Sequence, residues 1–300
     1  MKVFVTGASG FIGTQVVREL LAAGHEVVAL ARSDASQAKL EKFGSKVSVL
    51  RGDLNDLDSL KKGAAESDGV IHLGFVHDFS KFEECCQIDR KATTTMLDVL
   101  EGTNKPFINT SGLLNQRGKV AIESEYYPPV NTRAGTEDLA LTYKDKGVRV
   151  TSIRLSPTVH GEGDHAFIPI LIGVARAKGV AAYIEEGSNV WPAVHVNDAA
   201  KLFVLALEKG VAGHVYHGAG EEGVKTKDIA TAIGKTLGVP VESVAREKAM
   251  EHFGFLGFFF GFDSPSSSEI TRKELGWEPK NITLLEEIAT EYYKNSTPGM

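Results

Sequence analysis

The stretch "VTGASGFIG", residues 5–13, decides how the rest of the chain is read. It follows the apolar run "KVFVT" and opens a helical pattern, "FIGTQVVRELLAAGH", in which Val16, Val17, Leu20 and Leu21 share one face and Gly24 supplies a stop. Its glycines are Gly7, Gly10 and Gly13. Each has a steric reason: Gly7 permits a tight turn, Gly10 lets backbone approach a pyrophosphate, and Gly13 lets the helix pack on the strand. A helix N-terminus at this point offers free N–H groups and a partial positive charge, contributing roughly 0.3–1 kcal/mol to an exposed anion. Ser9, Phe11 and Ile12 complete the expected cradle. A loop that uses small residues only for packing is the plain alternative; the strand before it and the helix after it favour the phosphate site.

Outward from this loop, short apolar runs alternate with helical patterns. "EVVALA", "KVSVL", "GVIHLGF", "KPFINTS" and "RVTSIRL" read as further buried strands. Asp56, Ser80 and Asn131 are candidate N-caps, and Ser80 with Glu83 has capping-box spacing. This alternation predicts an α/β chain with a Rossmann-type doubly wound parallel sheet. Beyond Leu155 the pattern loosens into the helical "FIPILIGVARAKG" and "NDAAKLFVLALEKG", a late strand in "GHVYHGAG", and helices in "KTKDIATAIGKTLGVP" and "LLEEIATEYYKN". We therefore expect a dinucleotide-binding domain over 1–155, completed by roughly 195–220, and a smaller C-terminal lobe over 156–194 and 221–300.

Composition narrows the class. Three hundred residues, 42% hydrophobic and 24% charged, suit an ordinary globular enzyme. A net charge of −6 argues against a nucleic-acid partner, which requires a Lys/Arg surplus. The two cysteines, Cys85 and Cys86, are adjacent, poorly placed for a disulfide, and without metal-binding spacing, so no metal is expected. The most apolar run, Phe253–Phe262, has ten residues against the roughly twenty a bilayer span needs. With no signal-peptide pattern at the start, the expectation is a cytoplasmic protein acting on a small molecule, as monomer or homodimer, with no membrane partner.

The second strand bears on which dinucleotide is bound. An acidic residue at its end holds a ribose 2′-OH; here "VVALARSD" puts Ala31 there, then Arg32 and Ser33. A guanidinium suits a 2′-phosphate, so NADP(H) is the expected cofactor, with a solvated surface arginine as the alternative. Asp53, in "GDL", is expected beside the adenine, with Leu54.

"TGASGFIG", "GDL", "VIHLGF", "VHVNDAA" and "TRKELGWEP" together resemble the extended short-chain dehydrogenase/reductase superfamily, in the expected order over nearly the whole chain. The resemblance implies an NAD(P)-dependent oxidoreductase, epimerase or dehydratase. It places Gly74, Phe75 and Val76 against the cofactor, with Thr110, Ser156, Pro157 and Val159. Such enzymes carry a Ser or Thr after the fifth strand and a Tyr-xxx-Lys on the next helix. Here those positions fall on Ser111 or Gly112, on Pro129 and on Arg133, which marks an atypical branch. Arg133 is a candidate to hold the ribose or a substrate oxygen, the alternative being a surface arginine paired with Glu137.

A missing phenol requires another proton donor, and histidine suits neutral pH. His165 and His160, beyond the sixth strand, are the leading candidates, with Ser111 as a substrate hydrogen-bonder. His72 reads as a core residue and His195 as structural; His77 reaches toward the crevice. Tyr126 or Tyr127 could replace the phenol, Trp191 could wall the pocket, and Phe253–Phe262 reads either as a lid or as core. The expected reaction is reduction of a small apolar or aromatic carbonyl compound by hydride transfer. The alternatives are a non-catalytic NADP(H) sensor and an epimerase or dehydratase.

Overall fold

The computed structural model describes residues 1–113 and 119–296; positions 297–300, the end of the expected second lobe, lie outside them. The first half builds β1 Lys2–Thr6, α1 Phe11–Ala22, β2 Glu26–Ala31, α2 Asp34–Glu41, β3 Val47–Arg51, α3 Leu57–Ala65, β4 Gly69–His72, α4 Phe82–Leu100, β5 Pro106–Gly112, α5 Thr132–Thr142 and β6 Arg149–Leu155. The second half adds β7 Thr158–His160, α6 Phe167–Lys178, β8 Ala181–Ile184, β9 Val190–His195, α7 Val196–Lys209, β10 Val215–Gly218, β11 Glu221–Lys225, α8 Thr226–Leu237 and β12 Val241–Val244. Short helices close the chain: α9 Ala249–Phe253, α10 Leu256–Phe259, α11 Glu269–Leu275, α12 Leu284–Ile288 and α13 Glu291–Lys294.

The main sheet is seven-stranded, in the order β10-β6-β5-β4-β1-β2-β3, and every pairing in it is parallel. Its central strands β1, β2 and β4 are apolar and almost wholly buried, as expected of a parallel sheet covered on both faces, while β5 and β6 also carry polar side chains. The pleat sends Val3 and Val5 into one core, with Val16, Val17, Leu20 and Phe203 of α1 and α7. Phe4 goes to the other face, with Leu60, Met96 and Leu97 of α3 and α4. Strand order reverses between β1 and β4, which opens a crevice at their C-terminal ends.

Beyond β6 lie a three-stranded sheet, β11-β9-β7, and the pair β12-β8. They enclose a separate core that includes Ile168, Leu171, Trp191, Phe253, Leu256, Phe260 and Tyr293. The phenylalanine run is therefore not one loose lid. Helical periodicity splits it: Phe253, Leu256 and Phe260 are buried, while Phe255 and Phe258 are 41% and 62% exposed. Trp191 is fully buried against Phe260 and Phe167, so it is core rather than pocket wall.

Local signals were partly overridden. Asp56 and Asn131 cap α3 and α5 through their side chains. Ser80 does not cap α4: Asp78 accepts from the Ser80 N–H and hydroxyl and caps a single turn over Phe79–Lys81, while Glu83 accepts from the Thr132 hydroxyl at 2.7 Å. His165 lies two residues before α6.

Candidate functional site

The glycine loop is closed by contacts no side chain can enter. Gly7 has φ +69°, and a Cβ there would lie 2.8 Å from the Gly74 nitrogen. A Cβ on Gly13 would fall 2.1 Å from the Gly7 carbonyl oxygen. The Gly10 N–H donates to that oxygen at 3.0 Å. Gly10 is the N-cap of α1 and carries no capping side chain, so the first-turn N–H groups of α1, those of Phe11, Ile12 and Gly13 among them, are left for an external anion. The cradle thus fits a dinucleotide's pyrophosphate.

At the C-terminal end of β2, Arg32 is exposed, and Ser33 N-caps α2 by accepting from the Ser36 N–H. Two further cations converge there. Arg51, paired with Ala31 in the β2–β3 register, donates to the Arg32 carbonyl at 3.4 Å and meets Asp34 at 3.3 Å. Lys39 of α2 donates to the Ser9 carbonyl at 2.8 Å. Neither was singled out from sequence; the signal was a basic residue closing β3 and another on the helix after Ser33. Asp53 accepts from the N–H groups of Asn55 and Asp56, so its carboxylate also shapes its own turn. The Leu54 side chain lies over Gly74.

At the centre, His72 is 2% exposed, with Nδ1 2.6 Å from the Thr6 hydroxyl and Nε2 3.3 Å from Asp89. Thr6 also accepts from the Gly74 N–H, and Thr110 donates to the His72 carbonyl. His72 is thus a core residue that ties β1, β4 and α4 together. Past it, the Phe75 ring carries the Arg133 guanidinium 4.0 Å from its centroid, with Val76 following. Burial pulls the Arg133 pKa down and Asp89 opposes it. Arg133 does not pair with Glu137. That carboxylate receives Arg154 from β6 at 3.0 and 3.1 Å, both side chains being buried. Ser111 is the penultimate residue of β5, with its hydroxyl unbonded to the described residues and 8% of the residue exposed.

After β6, Ser156 donates to the Gly218 carbonyl at 2.7 Å, which ties it to β10, while Pro157 and Val159 are half-buried. His160 is 1% exposed. Its Nδ1 lies 2.7 Å from Glu287, and its ring is edge-on to His195. Because it is shut in the second core by a partner 127 residues away, His160 is removed as proton donor. His195 accepts from the Asn197 N–H and caps α7. His165 is exposed, its Nδ1 on the Gly163 carbonyl and its ring edge-on to Phe11, which sets it over the phosphate loop. The Tyr126 hydroxyl donates to Asp138 and that of Tyr127 to Glu125. Cys85 and Cys86 are buried free thiols. Among the described residues no cluster suits a metal, and no helix is long and apolar enough to cross a membrane.

Burial lowers the His195 pKa; Glu287 opposes this and His160 adds to it. The unfolded chain therefore binds a proton that the folded chain resists, so this contribution to stability is full above about pH 6.5 and fades as pH falls below it. A His195→Asn variant should show a shallower loss of melting temperature between about pH 6.5 and 5 than the parent; equal slopes would contradict this.

A family model described as the NAD dependent epimerase/dehydratase family matches residues 3–217. "Uncharacterized protein YLL056C" of Saccharomyces cerevisiae is 56% identical, over 98% of this chain and 100% of its own. The 4-hydroxy-2-methyl-3-oxo-4-farnesyl-3,4-dihydroquinoline-1-oxide ketoreductase of Stigmatella aurantiaca is 26% identical, over 81% of this chain and 75% of its own. Among solved structures, the dTDP-glucose 4,6-dehydratase DesIV of Streptomyces venezuelae, with NAD and TYD bound, superposes with TM-score 0.77 at 20% identity, over 98% of this chain and 96% of that one.

Proposed function

Because the chain belongs to the NAD-dependent epimerase/dehydratase family and is an NAD(P)-dependent oxidoreductase-type enzyme, we propose that it reduces a small apolar or aromatic carbonyl compound with NADP(H). The observation that carries this reading is the Arg133 guanidinium laid over Phe75 beyond the ends of β4 and β5. It is a permanently charged donor where the reduced oxygen gathers negative charge. The bound cofactor supplies the hydride. Ser111 offers a second hydrogen bond to the same oxygen, and the backbone at Gly74–Val76, with Thr110 and Pro157–Val159, flanks the crevice. The ketoreductase likeness supports a carbonyl substrate.

Arg32, Lys39 and Arg51 around the end of β2 support NADP(H) over NAD(H). Replacing Arg32 and Lys39 with alanine should each weaken NADPH roughly tenfold, about the energy of one charge-assisted hydrogen bond, and leave NADH nearly unchanged. Titration by fluorescence reads this directly, and equal losses for both nucleotides would remove the 2′-phosphate assignment. The activity test is NADPH consumption over a panel of aldehydes and ketones. A melting temperature raised by NADPH with no turnover on a broad panel would favour a non-catalytic nucleotide sensor.

A further inference from the structure

We infer that His77 exchanges the proton with the substrate oxygen while Arg133 holds that oxygen, an assignment that rests on the hydride-transfer reading above. Both groups are organised by one aromatic ring. Phe75 carries the Arg133 guanidinium on its face at 4.0 Å and His77 edge-on at 5.2 Å. The Phe75 main chain also hydrogen-bonds the His77 ring, which fixes its orientation and tautomer. His77 lies in the segment after β4, on the crevice side of the sheet, as a surface residue whose ring is partly shielded. No other histidine near the crevice fits. His160 is held by Glu287, His72 is packed between Thr6 and Asp89, and His165 leans on Phe11 of the phosphate loop.

The surrounding charges suit the role. Partial burial of the ring and then Arg133 of α5 lower the His77 pKa, the Phe75 hydrogen bond opposes them, and His165 adds a smaller lowering. Asp78 is turned to its Ser80 cap, and Glu83 accepts from Thr132. An imidazolium formed here is a stronger acid than an ordinary one, and the neutral ring survives as a base to lower pH. In the reducing direction the carbonyl carbon receives the hydride and its π pair moves to oxygen. The oxygen takes a ring proton from His77, leaving neutral imidazole, an alcohol and the oxidised cofactor. Reduction should therefore slow as pH rises through the His77 pKa, and alcohol oxidation should speed up.

Full-length protein labelled at histidine is titrated by NMR with saturating NADPH and then NADP⁺, saturation being verified by melting temperature. The positive charge of the oxidised nicotinamide should make His77 titrate at lower pH in the NADP⁺ complex than in the NADPH complex. Identical titrations in two saturated complexes overturn the His77 assignment and leave the oxidoreductase reading standing; failure to saturate with either nucleotide overturns both. His77→Gln, at an exposed position, should bind NADPH like the parent. With any carbonyl compound the parent reduces, its kcat should fall about a hundredfold and the pH dependence should flatten. Parental kcat and pH profile in that variant likewise overturn the assignment.

Discussion

A Gly13→Ala variant should lose its NADPH-induced rise in melting temperature altogether. The added methyl would sit 2.1 Å from the Gly7 oxygen, 2.8 Å from the Gly7 carbonyl carbon and 2.9 Å from the Ala8 Cα. These are main-chain atoms, so no rotamer change relieves the clash. Gly7 cannot retreat, because its own Cα faces the Leu73–Gly74 backbone. The loop must therefore open or α1 must lift from β1. Overpacking of this kind costs about 1–3 kcal/mol, occasionally more. At roughly 2–4 °C per kcal/mol for a large domain, the nucleotide-free melting temperature should fall by several degrees. Scanning calorimetry with and without NADPH reads both effects. A variant that keeps the nucleotide-dependent rise would show that the dinucleotide does not use this turn.

Glu137→Ala should destabilise the protein by about 3–5 kcal/mol, because it strands the Arg154 guanidinium in the interior. The two side chains are 5% and 9% exposed and make two contacts near 3 Å. The pair itself need not be favourable against apolar residues of similar size, so Glu137→Leu combined with Arg154→Met should recover most of the loss. Urea unfolding of Glu137→Leu, Arg154→Met and the double variant gives the coupling energy. A cost below about 1 kcal/mol for Glu137→Ala would mean that water reaches the pair. Glu137 lies one turn beyond Arg133 on α5, so the pair also sets how that helix presents Arg133 to the crevice. Glu137→Ala should lose turnover as well as stability.

The phosphate loop and the strand–helix alternation were legible because both are local: a turn that only glycine can make, and apolar runs of strand length. The family likeness then located Arg133 and Phe75 in sequence but not against each other, since the stacking joins α5 to the segment after β4. Lys39 and Arg51 escaped notice because they arrive from α2 and β3 through main-chain carbonyls, Lys39 at Ser9 of the loop and Arg51 at Arg32 after β2. The Arg133–Glu137 spacing suggested a helix-surface pair, yet a strand arginine nearer the core took the carboxylate. His160 looked like a crevice residue from its position after β6; only a glutamate far along the chain makes it an interior one. Ser80 had capping-box spacing, but Asp78 is the stronger acceptor two residues earlier.

The bond between His160 and Glu287 spans 127 residues. Made at roughly 5–20 residues per second on the ribosome, the histidine precedes its partner by roughly 6–25 seconds. Through that interval the histidine waits for the carboxylate that partners it, while β1 to β5 already have their sheet neighbours and β6 gains β10 partway through. The parallel sheet can be completed once residue 218 has emerged, whereas the surroundings of His160 can close only after Glu287 does.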